Sequence, residues 1–157
     1  MKNLIVLNKK EGETPLEALS SFRNKNPKYT GPMTYAGRLD PMASGVLLIL
    51  TGEEVKNKEK YLALEKEYSF SVLFGFSTDT YDILGKIIAK KNINISQKDL
   101  EKEIKISIKG FTGQNTQDYP MYSSKTVNGK PLFTYAREGK AVKIPNRKIF
   151  IKYLKLR

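Results

Sequence analysis

Residues 35–50, Tyr35-Ala36-Gly37-Arg38-Leu39-Asp40-Pro41-Met42-Ala43-Ser44-Gly45-Val46-Leu47-Leu48-Ile49-Leu50, most constrain how this chain folds. A polar loop runs into an unbroken apolar, partly β-branched stretch that reads as a buried strand. A residue anchored by such a strand is held rigidly. Gly37 and Gly45 permit backbone conformations or close approaches that a side chain would block. Pro41 fixes the exit from the loop. The loop holds one carboxylate, Asp40. Taken alone, Asp40 reads as a turn or helix-cap residue.

The length, 157 residues, suits one domain. With 39% hydrophobic residues there is enough for a core, and no apolar run approaches a membrane span. The apolar stretch near the N-terminus is too short for a signal peptide and reads as a first strand. Cys is absent, which removes disulfide and thiolate chemistry and suits a reducing, cytoplasmic setting. His is absent too, which removes the usual general base and the commonest metal ligand. Catalysis would therefore draw on carboxylates, Tyr, Lys, Arg or hydroxyls. Charge is the clearest bulk signal, with 28 basic residues against 16 acidic, a net +12. From Lys140 onward, Lys140, Lys143, Arg147, Lys148, Lys152, Lys155 and Arg157 appear with no acid among them. One-signed charge of this kind suits a phosphate backbone, although solvated surface lysines would look the same.

Along the chain, residues 4–7 form a short strand. Thr14-Pro15-Leu16-Glu17 opens a helix with Thr as cap, Pro at the first helical position and Glu three residues after the cap. That helix stops before Asn26-Pro27. A polar loop leads to residue 35. After the strand at 46–50, residues 53–64 read as a helix and 68–74 as a strand. Residues 75–84 read as an acidic loop and 85–91 as a strand. A helix opens at Ser96-Gln97-Lys98-Asp99. Strands are expected at 111–117 and 123–127, the latter ending in the Asn128-Gly129 turn. A short helix at 132–137 closes on Gly139, and residues 149–156 form the last strand. Without a steady βαβ repeat, the fold class is α+β, a mixed, mostly antiparallel sheet flanked by helices.

No phosphate-binding glycine loop, dinucleotide fingerprint or carboxylate–histidine metal set is present. Asp79 and Asp82 read as turn and cap residues before metal ligands. What remains is Asp40, which could serve as nucleophile or base, a set of aromatics and a basic surface. Tyr68, placed at a strand start after Glu65-Lys66-Glu67, either stacks on a planar group or packs at the edge of the core.

Several elements, in order, resemble the TruB-type tRNA pseudouridine synthases. Leu7-Asn8-Lys9-Lys10-Glu11-Gly12 resembles the N-terminal Lys-Pro-x-Gly element, with Lys10 in place of Pro. Gly37 to Leu47 resembles Gly-x-Leu-Asp-Pro-x-Ala-x-Gly-x-Leu, which carries the catalytic Asp. Lys66-Glu67-Tyr68 resembles Lys-x-Tyr, and Thr78 to Gly85 resembles Thr-Asp-Thr-x-Asp-x-x-Gly. Met121-Tyr122-Ser123-Ser124-Lys125 and Gly129 to Gly139 resemble the elements Met-Tyr-Ser-Ala-x-Lys and Gly-Lys-x-Leu-Tyr-x-Tyr-Ala-Arg-x-Gly.

The resemblance implies a pseudouridine-synthase-like catalytic core, an isomerase with no cofactor and no metal, acting on RNA, with tRNA as the first expectation. A uridine of the T arm would be flipped from its stack. Asp40 would promote cleavage of the C1′–N1 bond, and the uracil would rejoin through C5. Substrate-binding residues would be Tyr68, Tyr35, Arg38, Lys9 and Gly37. Tyr35 stands where the family carries His, and an Arg38-Leu39-Asp40 triplet is also typical of related families that modify ribosomal and other RNAs. The family continues into an element resembling Gly-Thr-Tyr-Ile-Arg, whose Arg pairs with the catalytic carboxylate. On this reading residues 1–157 are one incomplete catalytic domain without the C-terminal RNA-binding module, and a second chain is one source of the missing segment. Arg38 and Arg137 are the alternatives within the chain. A catalytically silent RNA-binding remnant, or a structural subunit of a ribonucleoprotein, are the competing readings.

Overall fold

A computed structural model describes residues 3–157. The chain divides into two compact units, Met1–Ser69 and Phe70–Arg157. In the first, strand β1 (Leu4–Lys9) leads to helix α1 (Pro15–Lys25), then strands β2 (Met33–Ala36) and β3 (Gly45–Thr51). A 3-10 segment (Gly52–Asn57) and helix α2 (Lys58–Leu62) follow. The sheet order is β1-β3-β2, with both pairings antiparallel. β3 is thus the central strand, which is why its sequence is continuously apolar. Leu47, Ile49 and Leu50 are at most 2% exposed, and each such burial stabilises the fold by about 2 kcal/mol. Leu47 and Ile49 pack on Ala18 and Leu19 of α1, with Ile5, Leu7, Met33 and Tyr35 against them.

The start of α1 forms as expected. The Thr14 side chain accepts from the Glu17 N–H, and the Glu17 carboxylate accepts from the Thr14 N–H at 2.7 Å. The helix stops at Lys25, before Asn26 and Pro27. Tyr35 lies in β2 opposite Ile49, in a strand the sequence reading did not include. The expected helix over residues 53–64 is divided, because Asn57 (φ −92°, ψ 15°) leaves helical geometry between the 3-10 segment and α2. The Glu54 carboxylate spans that joint, accepting from Tyr61 Oη at 2.7 Å and Asn57 Nδ2 at 3.2 Å. The Tyr61 hydrogen bond, then that of Asn57, holds the Glu54 carboxyl below its ordinary pKa.

The expected strand over residues 68–74 does not form. No strand pairs with this segment among the described residues, and Tyr68, Phe70, Val72 and Leu73 are exposed. Strand composition without a neighbour leaves backbone N–H and C=O groups to solvent, so the segment stays irregular.

In the second unit, β4 (Phe76–Thr78) pairs antiparallel with β5 (Ile87–Lys90). β4 thus occupies part of the expected acidic loop. The rest of that loop is a turn built by the two aspartates. Asp79 Oδ1 accepts from the Lys86 N–H, and Asp82 Oδ1 from Thr80 Oγ1 and the Leu84 N–H. Helix α3 (Gln97–Phe111), capped by Ser96, continues through Phe111, so β6 (Gly113–Asp118) starts later than expected. β6 pairs residue for residue with β9 (Asn146–Ile151), which starts and ends before the expected strand. Between them β7 (Thr126–Val127) and β8 (Lys130–Pro131) form the hairpin, with positive φ at both Asn128 and Gly129 as a primed turn demands. Helix α4 (Leu132–Glu138) closes on Gly139 at φ 64°. The fold is α+β, as expected, and the mostly antiparallel pairing expected of its strands is realised as several small antiparallel sheets.

Candidate active site

The loop bearing Asp40 hangs between β2 and β3. Gly37, at φ 85°, turns the chain out of β2 in a conformation that strains a side-chain-bearing residue. Asp40 then opens a tight turn, its carbonyl accepting from the Ala43 N–H at 2.9 Å. Pro41 stands second in that turn, where its fixed φ is already suitable. The Asp40 side chain is exposed.

Beneath this turn lies the feature that sequence reading placed differently. Lys9 was expected to bind substrate. It is fully buried, and its ammonium faces inward. Lys9 Nζ donates to the carbonyls of Glu13 at 2.6 Å, Lys10 at 2.9 Å and Pro41 at 3.3 Å. An ammonium has three donors, and each has an acceptor here, as a charge removed from water requires. The Pro41 carbonyl also accepts from the Gly12 N–H at 2.8 Å. The segment after β1 and the turn of Asp40 are therefore tied together through one carbonyl. This inward placement has a periodic cause: Ile5, Leu7 and Lys9 alternate onto one face of β1, the face that packs on the core.

Beside the loop, Tyr35, Gly37, Arg38, Lys58 and Leu62 line a cavity of about 230 Å³. Lys58 Nζ lies 5.6 Å from the centre of the half-buried Tyr35 ring, a cation–π arrangement worth about 0.5–1 kcal/mol. Three of the expected site residues thus meet at one cavity, with Asp40 two residues farther along the same loop. Tyr68 lies outside that lining and is 61% exposed, in irregular chain rather than at a strand start. Lys58 and Leu62 were not anticipated. Their spacing of four on α2 puts both on one helix face, which is the signal that could have found them. Arg137, considered as a cation for Asp40, has its guanidinium over the Phe133 ring at 5.1 Å within α4. Among the described residues, no group of three or more acidic, His or Cys side chains is placed to hold a metal ion. No described helix is long and apolar enough to cross a membrane.

The N-terminal domain of TruB family pseudouridylate synthases matches residues 25–157, which include the whole Asp40 loop and the cavity. The chain belongs to the TruB family. A protein from Fusobacterium nucleatum named tRNA pseudouridine synthase B is 37% identical over 156 residues, covering 99% of this chain and 52% of that protein. Proteins of the same name from Caldicellulosiruptor saccharolyticus and Thermotoga maritima are 34% and 32% identical, over 96% and 94% of this chain. The chain spans about half the length of the curated relatives it matches. In TruB terms, Asp40 is the aspartate of the Gly-x-Leu-Asp-Pro element, and it stands at the exposed start of the turn that Lys9 holds from below.

Proposed function

We propose that this chain provides the Asp-bearing part of an enzyme that isomerises a uridine of tRNA to pseudouridine. The observation that carries the reading is the Asp40 turn, solvent-facing on its carboxylate side and tied down on its backbone side by Lys9 and Gly12. Catalysis gains from a group whose position is set before the substrate arrives. The uridine is flipped from its stack. Asp40 attacks C1′ or takes the proton at C2′. The C1′–N1 bond breaks and the uracil turns; a C1′–C5 bond then forms as the Asp40–C1′ bond breaks or, on the second route, as Asp40 returns the proton to C2′. The proton leaving C5 and the proton gained at N1 balance, so the product is an isomer of the substrate. Tyr68 stacks on the target base. Tyr35 and Gly37 give the cavity its planar wall and its open floor, and Arg38 and Lys58 attract the neighbouring phosphate. The relatives' greater length supports a further part of the reading: residues of their second half, on this or a second chain, complete the site with a cation for Asp40.

The test is incubation of the chain with unmodified tRNA, followed by a chemical label specific for pseudouridine, for wild type and Asp40→Ala. Label in the wild type and none in the variant is the expected result. Equal label in both removes Asp40 as the reacting group. Absence of label with tRNA binding retained leaves an RNA-binding protein in place of an enzyme.

A further inference from the structure

Helix α3 carries a basic face outside the site described above. At the helical repeat, Lys98, Lys102, Lys105 and Lys109 fall within an arc of about 60° and span about 16 Å along the axis. All four are exposed, and they line one open strip of the helix surface, with Asp99, Glu101 and the exposed Ile106 beside them. The acids flanking the strip do little to cancel it. Asp99 is engaged at the helix start, where Ser96 Oγ donates to it at 2.6 Å. Glu101 reaches Lys105 only at 3.9 Å, a surface contact worth little. On the other side of the helix, Leu100, Ile104 and Ile108 are half-buried.

We propose that this strip is a rail for the sugar–phosphate backbone of a base-paired RNA stem. The inference rests on the reading of the protein as one that acts on RNA. Four point charges held in a straight row by one helix suit a regular row of phosphates, and duplex RNA is recognised largely through shape and backbone. Lysine donates to phosphate as a point charge without demanding a set geometry. The rail therefore binds without reading sequence. An anionic membrane would attract the same charge, but a helix lying in a membrane needs its apolar side free to insert. Here that side is turned partly into the protein.

The test is binding of the chain to a fluorescent RNA hairpin across 50 to 300 mM salt. The proteins compared are wild type, Lys98→Gln/Lys102→Gln/Lys105→Gln/Lys109→Gln, and the corresponding four-Arg variant. Gln and Arg are good helix formers, so α3 persists, which circular dichroism checks. Loss of up to four phosphate contacts makes the slope of log K against log salt shallower by about 3, and lowers affinity at 50 mM salt at least tenfold, on the order of counterion release. The Arg variant keeps the wild-type slope. A Gln variant with the wild-type slope overturns the rail. So does a Gln variant that loses only its binding to phosphatidylserine vesicles, which would make the strip a membrane contact. Failure of wild type to bind any RNA overturns the parent reading along with the rail, an outcome distinct from either.

Discussion

The ammonium of buried Lys9 donates to the carbonyl of Pro41, the residue that follows Asp40. The same nitrogen also donates to the carbonyls of Lys10 and Glu13. One charged side chain thus holds three carbonyls, one of them in the turn that aims Asp40.

Lys9→Met would take that donor from the Lys10 and Glu13 carbonyls, while the Pro41 carbonyl keeps the Gly12 N–H. The expected loss is about 2 kcal/mol of folding stability, since each of these two part-buried acceptors costs on the order of 1 kcal/mol when left without its donor. A urea titration reads it. A purely structural role would end there. A positioning role adds a second result: well below the unfolding midpoint, pseudouridine formation slows while tRNA affinity holds.

Thr14→Ala removes the α1 cap and is expected to cost about 1 kcal/mol, read as a lower midpoint in thermal unfolding. Glu17 answers from the other side of the same box. The Thr14 backbone hydrogen bond, then that of its hydroxyl, holds the Glu17 carboxyl below its ordinary value. A depressed folded-state pKa stabilises the protein above the unfolded value of 4.5 and loses that contribution as pH falls through the folded one. Glu17→Gln should therefore flatten the stability profile below about pH 4.5, measured by unfolding between pH 3 and pH 6.

Lys58 faces the Tyr35 ring across the cavity beside Asp40. Lys58→Ala is expected to raise KM for tRNA about three- to tenfold, with a smaller effect on kcat, and to reduce the salt slope of binding by about 1, as loss of one phosphate contact does. Steady-state kinetics at two salt concentrations reads both.

Sequence reading reaches some of these parts and misses others for physical reasons. The α1 cap, the Asn128-Gly129 hairpin and the Gly139 terminus rest on local hydrogen bonds and permitted φ angles, so a few adjacent residues determine them. The segment 68–74 has strand composition, yet a strand exists only with a neighbour, and composition says nothing of neighbours. Asp40 was legible as the residue of interest through the surrounding motif. The inward turn of Lys9 was legible in the alternation of Ile5, Leu7 and Lys9, but its link to Pro41 joins positions 9 and 41 and needs the folded chain. Tyr35, Gly37 and Arg38 are close in sequence, whereas Lys58 and Leu62 reach their cavity only through tertiary packing.

The central claim is that the Asp40 carboxylate, held by its pinned turn, carries the chemistry. Asp40→Asn preserves size and removes the charge. Single-turnover pseudouridine formation in tRNA, measured with tRNA affinity for the same protein, tests the claim most directly. The account predicts a rate lower by on the order of 10³-fold or more, as removal of a reacting group produces, with affinity unchanged within about threefold. A variant that forms pseudouridine at the wild-type rate, or that loses product only because it no longer binds tRNA, would contradict it.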